Sequence, residues 1–326
     1  MTTVFRVFRR TPLVLLAVLI AVVARPAAAD AQTRTDGAEL LYSPSGSASA
    51  QNPAYSPDGK TLLLTICRGG YNGGGAGLHL MPSSGGAPQV LVEQGDQSAV
   101  NLPGSAWNGP TGSITFSYNV TDIDEIWTMR PGAEPHQVTS HSGRMYTEPS
   151  FAPDGDWIVF QENDAKQQTG SRGTIRKVRA DGSGITALVD GPATNTDNRQ
   201  PNWSPRGDII VFQSSPGGSD KSRLVTIAPD GTGRKVITGG EGEDSDASFS
   251  PDGNWVVYSS NHGGLKHGQI FVTRSDGTGE PVRVTKSDGY DGAPSWSPDG
   301  AWIVFESGPT EKVPTSIWRI PAPKLG

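Results

Sequence analysis

The chain has 326 residues, with 33 acidic and 27 basic side chains, one cysteine, 42 glycines and 26 prolines. Glycine and proline at about a fifth of the residues suit a turn-dense all-β protein, and recurrent apolar runs exclude a disordered chain. A lone cysteine excludes an internal disulfide, and the acidic balance disfavours nucleic acid or an anionic membrane surface as a partner.

Residues 1–29 read as a secretory signal. Arg6, Arg9 and Arg10 precede a twelve-residue apolar run from Leu13 to Ala24, too short to span a membrane, and Ala27-Ala28-Ala29 offers a cleavage site. Its removal leaves 23 basic against 33 acidic residues, a net charge of −10. The expected location is secreted or periplasmic, with no stable membrane insertion after cleavage. Residues 30–37 are polar and expected to be flexible. Leu40-Leu41-Tyr42 is a short apolar strand with no hairpin partner nearby.

From Asn52 onward one unit recurs. In Phe249-Ser250-Pro251-Asp252-Gly253-Asn254-Trp255 the proline pre-sets φ for a tight turn, the aspartate bonds nearby amides and the glycine accepts positive φ. An apolar run follows at once, so the turn joins two antiparallel strands. The leading aromatics are Tyr55, Trp107, Phe151, Trp203, Phe249 and Trp296, at gaps of 52, 44, 52, 46 and 47 residues. That is the period of propeller blades.

Each unit divides into strands A to D. In the fifth unit, A ends at Phe249, B is Trp255–Tyr258, C is Ile270–Thr273 and D is Val282–Thr285. Both faces of B are apolar, so it is expected to be covered on both sides. There are six A, B and C strands but five D strands, and Leu40–Tyr42 is unclaimed. The predicted fold is therefore an all-β, six-bladed β-propeller of four-stranded blades over residues 38–321. Its ring is closed by the N-terminal strand pairing into the last blade, which leaves only short, protected edges.

Pro294-Ser295-Trp296-Ser297-Pro298-Asp299-Gly300-Ala301-Trp302-Ile303-Val304-Phe305 resembles the TolB-type, WD40-like propeller repeat. The other units match it to varying degrees, and the second, around Trp107-Asn108-Gly109-Pro110, matches poorly. The resemblance implies the propeller without the α/β domain of TolB, since some twenty residues separate the cleavage site from the first blade. No hydrolase domain is expected after the propeller, so the resemblance does not imply peptidase activity.

Strand alternation puts the A–B and C–D turns on one face and the longer D–A and B–C loops on the other, where function usually sits. Three and five residues before the aromatics lie Glu148 and Tyr146, Gln200 and Asn198, Asp246 and Asp244, and Asp291. If the A strands line a central channel, these seven ring its long-loop mouth. Their negative potential attracts cations or basic side chains. The spacing matches no metal-loop motif, so no cofactor is expected, Ca2+ being the cation such a mouth would accept. Tyr71, Tyr146 and Tyr290 are candidate contact anchors.

Other chemistry is sparse. There is no Gly-x-Ser-x-Gly elbow, and the histidines at 79, 136, 141, 262 and 267 match no metal-ligand spacing. Asp58, Asp154, Asp252 and Asp299 share one turn position and read as structural, and Cys67 reads as buried. The expected function is a monomeric, non-catalytic module that binds an envelope or extracellular protein, peptide or glycan. The alternative is a hydrolase or polysaccharide lyase working at the channel mouth.

Overall fold

A computed structural model describes residues 32–325 apart from 94, 96, 121, 122, 141, 142, 165–171 and 218. The expected signal segment and His141 lie outside the described residues. The first strand is β1 (Glu39–Tyr42). Blade one follows as β2 (Ser49–Tyr55), β3 (Thr61–Cys67), β4 (Ala76–Pro82) and β5 (Gln89–Val92). Blade two is β6 (Ala99–Val100), β7 (Ile114–Tyr118), β8 (Glu125–Met129) and β9 (His136–Gln137). Blade three is β10 (Arg144–Phe151), β11 (Trp157–Asp164), β12 (Thr174–Arg179) and β13 (Thr186–Val189). Blade four is β14 (Thr196–Trp203), β15 (Ile210–Pro216), β16 (Arg223–Ile227) and β17 (Lys235–Val236). Blade five is β18 (Asp244–Phe249), β19 (Trp255–Ser260), β20 (Gln269–Arg274) and β21 (Val282–Arg283). Blade six has β22 (Tyr290–Trp296), β23 (Trp302–Gly308) and β24 (Ser316–Pro321), with β1 as its outer strand. The described residues thus form six four-stranded antiparallel sheets, as the repeat predicts.

The turn chemistry explains the repetition. In blade one Gly59 N–H donates to Ser56 O (2.9 Å) with φ at 70°, and Asp58 Oδ1 accepts from Ser56 Oγ (2.7 Å) and Lys60 N–H (3.1 Å). Asp299 repeats this with Ser297 and Ala301. Where Arg206 replaces the aspartate, Gly207 N–H still donates to Ser204 O (2.9 Å). In blade two Asn108 does both jobs, accepting from Thr111 N–H (2.9 Å) on its side chain and from Gly112 N–H on its carbonyl.

The core lies between blades. Val256 and Tyr258 of β19 enter one apolar cluster with Val211 and Phe249, while Val257 enters another with Phe305 and Ile303. Both faces of the B strand are covered, as its two-sided apolar pattern requires.

Ring closure pairs Glu39 with Arg319, Leu40 with Trp318 and Tyr42 with Ile317. In blades one, three, four and five a glycine of the C–D turn nestles on the outer strand of the preceding blade. A Cβ on Gly182 would lie 2.6 Å from Val138 O, and one on Gly231 2.8 Å from Leu188 O. A Cβ on Gly85 would meet Leu41 O at 3.0 Å, so β1 receives its neighbour as a true outer strand does.

Residues 32–37 are not the free lead-in that their polarity suggests. Leu40 N–H donates to Gln32 O, and the Arg34 guanidinium grips both carboxylate oxygens of Asp291, at 2.8 and 3.0 Å. Arg34 also bonds Asp36 and stacks over Phe305 and Trp318, with its Cζ 5.5 and 5.3 Å from the ring centroids. One cation over aromatic faces with two acids offsets the entropy that the composition would leave to this segment.

Candidate functional site

The innermost strands share a break in alternation. At the third residue before each aromatic the backbone turns left-handed: Asn52 (φ 52°), Gly104 (85°), Glu148 (56°), Gln200 (52°), Asp246 (53°) and Ala293 (47°). Strand register slips there, between Gln51 and Ala54 in blade one and between Thr147 and Ser150 in blade three. A bulge of this kind re-aims one side chain, and residues two apart no longer share a face.

This splits the seven sequence candidates. Glu148, Gln200 and Asp246 meet around the channel. Gln200 N–H donates to Glu148 Oε2 (2.9 Å), and Asp246 N–H donates to Gln200 Oε1 (2.9 Å). Gln200 Nε2 donates in return to Asp246 Oδ1 (2.6 Å), and the Asp246 carboxylate accepts from Ala293 N–H. Each side chain thus holds the backbone of the next blade. Tyr146, Asn198, Asp244 and Asp291 do not join them. Tyr146 is in the core edge-on to Phe160, and Asn198 bonds Gly173 O and Ser214 within and beside its blade. Asp244 accepts from Ser260 Oγ (2.6 Å), and Asp291 is wholly buried against Arg34. The expectation that all seven ring the mouth is corrected: the bulge turns the residue at minus five into its blade.

Glu306, which the sequence reading passed over, completes the relay. Its Oε2 accepts from Asn52 N–H (3.0 Å), crossing from blade six to blade one where Ala293 has no polar side chain to offer. Tyr290 Oη donates to its Oε1 (3.3 Å), and Tyr71 Oη lies 3.4 Å from Tyr290 Oη. Its signal was an acid directly after the apolar run Trp302–Phe305, where other blades carry Thr65, Ser117, Gln161, Gln213 and Ser259. Burial raises all three relay acids, with like charge adding: Glu148 to about 7, Asp246 to about 6 and Glu306 to about 8. Burial and Glu306 together push the Tyr71 and Tyr290 phenols far up, so both stay protonated donors.

On the long-loop side the channel opens into two adjoining cavities. One, of about 170 Å3, holds Asn52, Tyr71, Asn101, Glu148, Gln200 and Asp246. The other, of about 450 Å3, lies over blades one to three and shares Asn72, Val100, Ser117 and Glu148 with the first. Its wall is polar, with Gln161, Asn163, Asn119, Asp124 and Arg199. Gln161 is 4% exposed and its amide oxygen has no hydrogen-bond partner. Buried polar atoms are nearly always paired, so this acceptor faces an unmet demand for a donor. Burial raises Asp124 to about 6, and Arg199 is held by Asp197 (2.6 Å). Cys67 also lines the cavity, but burial lifts its thiol to about 11 and it donates to Gln51 Oε1. It is therefore a poor nucleophile. Among the described residues no group of three or more His, Cys, Asp or Glu side chains is arranged to hold a metal. Likewise no described helix is long and apolar enough to cross a membrane.

Known proteins of this shape bracket the molecule. The chain is 28% identical over 205 residues to an uncharacterized protein of Agrobacterium fabrum, covering 50% of this chain and 64% of that one. It is 32% identical over 121 residues to dipeptidyl-peptidase 5 of Porphyromonas endodontalis, covering 32% of this chain and 16% of that one. The chain thus spans less than two thirds of the length of either curated relative. Among solved structures, TolB from Acinetobacter baumannii superposes with a TM-score of 0.56 at 16% identity, over 85% of this chain and 64% of that one. Oligogalacturonate lyase from Vibrio parahaemolyticus superposes at 0.55 and 13% identity, over 90% and 96%. At such identities the likeness is one of fold. The TolB beta propeller domain model matches residues 31–243 and 198–317, which together span nearly all the blades, and the chain belongs to that family.

Proposed function

We propose that the chain is a secreted or periplasmic binding module without catalysis of its own, which takes a protein, peptide or glycan segment at its long-loop mouth. The observation that carries this reading is the polar cavity over blades one to three, with the amide oxygen of Gln161 buried in its wall and unpartnered. A ligand hydroxyl or N–H would satisfy it. The relay carboxylates support the same reading. They are engaged by backbone N–H groups of neighbouring blades, which favours a rigid rim over a reacting pair.

The test places a photo-crosslinking amino acid at Asn119, beside the cavity, and at Lys60, on the opposite face. Adducts formed in cells at 119 but not at 60, and lost on Gln161→Leu, support the reading. Equal adducts at both positions, or adducts indifferent to Gln161→Leu, reject it. A second reading, a hydrolase or lyase, draws on Glu306, whose carboxyl is raised to about 8 beside two phenols. It requires turnover of a peptide or glycan that Glu306→Gln abolishes.

A further inference from the structure

The opposite mouth of the channel has the contrary chemistry. There the six A–B turns converge on a cavity of about 320 Å3. Its wall is made by Tyr55, Trp107, Phe151, Trp203, Phe249 and Trp296, the aromatics that lead into the A–B turns, and the turn prolines form its rim. Among the described residues no charged side chain lines it. Trp203 is 4% exposed, and its indole N–H is buried without an acceptor. A tryptophan N–H normally finds a partner when buried, so an apolar funnel with one unmet donor asks for an apolar group that carries a carbonyl.

Just outside the prolines stand Asp58, Asp154, Asp252 and Asp299, all but Asp154 next to an exposed proline. Bonds from Ser56 and Lys60 hold Asp58 below the usual carboxylate range, and bonds from Ser297 and Ala301 do the same for Asp299. Burial is the largest single influence on Asp252 and raises it, but the bonds from Ser250 and Asn254 together prevail and hold it below the usual range. Asp58, Asp252 and Asp299 are therefore ionised at neutral pH. Of the bases at this rim, Arg206 is taken by Asp208 (3.0 Å), and Lys60 is an exposed side chain 3.6 Å from Asp58.

We propose that this funnel is a second binding site, separate from the long-loop mouth, for an apolar peptide segment flanked by lysine or arginine. The apolar residues fill the aromatic wall, a backbone carbonyl accepts the Trp203 N–H, and the flanking cations meet the ionised rim. The charge complementarity chooses among occupants. A neutral apolar plug would leave the rim unused, and an anionic lipid surface would be repelled by it. The exposed turn prolines and the edges of the aromatics that reach the funnel give aliphatic side chains their contact area.

The test uses fluorescein-labelled Lys-Lys-Pro-Leu-Ile-Pro-Leu-Lys-Lys and the full chain, read by anisotropy. The same core flanked by glutamates is expected to bind about tenfold weaker or less, and the Lys-flanked peptide should weaken as salt rises. The triple variant Asp58→Asn, Asp252→Asn and Asp299→Asn keeps an oxygen acceptor in each turn. It should lose about tenfold in affinity while melting only slightly lower, because an amide oxygen still accepts in each turn although the charge the fold favours is gone. Trp203→Phe should weaken binding several-fold, while Gln161→Leu should leave it unaltered. That last variant separates this site from the one proposed above. Equal binding of the glutamate-flanked peptide overturns the proposal, as does competition by a second copy of the chain or by maltooligosaccharide. So does sensitivity to Gln161→Leu in place of Trp203→Phe.

Discussion

Burial holds the Glu306 carboxyl at about 8, against 4.5 for an unburied glutamate. Between those values the folded chain keeps a proton that the unfolded chain has released, so stability falls as pH rises through this window. Glu148, at about 7, and Asp246, at about 6, act in the same sense over narrower windows. The melting temperature should therefore decline from pH 5 to pH 8, and Glu306→Gln should flatten that decline and raise the value at pH 8. A slope unchanged by Glu306→Gln would assign the proton elsewhere. Arg34 makes the opposite demand. It is the cation that faces the wholly buried Asp291, and stripping one partner from a buried pair costs about 3–5 kcal/mol. Urea denaturation of Arg34→Ala should show a loss of that order, partly recovered by adding Asp291→Asn. At this scale the turn aspartates were legible, because proline, aspartate and glycine act within four residues of one another. Arg34 was not, because its partner lies 257 positions away.

Among the elements, the innermost strands set what the channel displays. Their left-handed residue was hidden in the sequence because six residue types occupy it across the six blades, only one of them glycine. Hence alternation grouped Tyr146 with Glu148 and Asp244 with Asp246, and the bulge separates each pair. Ala293 bears a Cβ at φ 47°, which costs about 1 kcal/mol, so Ala293→Gly should stabilise by up to that amount in thermal melts. Gly104→Ala should do the reverse. Its Cβ would fall 2.6 Å from Asn202 Nδ2 and 2.7 Å from Ser248 Cβ, and overpacking of this kind costs about 1–3 kcal/mol. Gly104 belongs to blade two, beyond its short A strand Ala99–Val100. The poor match of this blade to the repeat was visible in the sequence. The inward reach of Gly104 to residues of blades four and five was not, since no local pattern encodes a contact across the axis.

For the whole molecule, a one-dimensional period was enough to infer blade number and closure, because 44–52 residues per unit and one missing outer strand leave few arrangements. The chemistry of the two mouths was less accessible. The aromatics that mark the repeat also build the apolar funnel, a role that appears only when six of them face one axis. Deleting residues 32–43 should expose the edge of β24 and convert a single cooperative melt into a broader, earlier one with aggregation, as light scattering would register. The partners Glu39 and Arg319 stand 280 positions apart. Joining such distant segments is entropically slow, so the last step of folding awaits emergence of the final sheet. The seam therefore cannot clasp until both ends of the chain are present, and an incomplete chain keeps the edge of its last sheet bare.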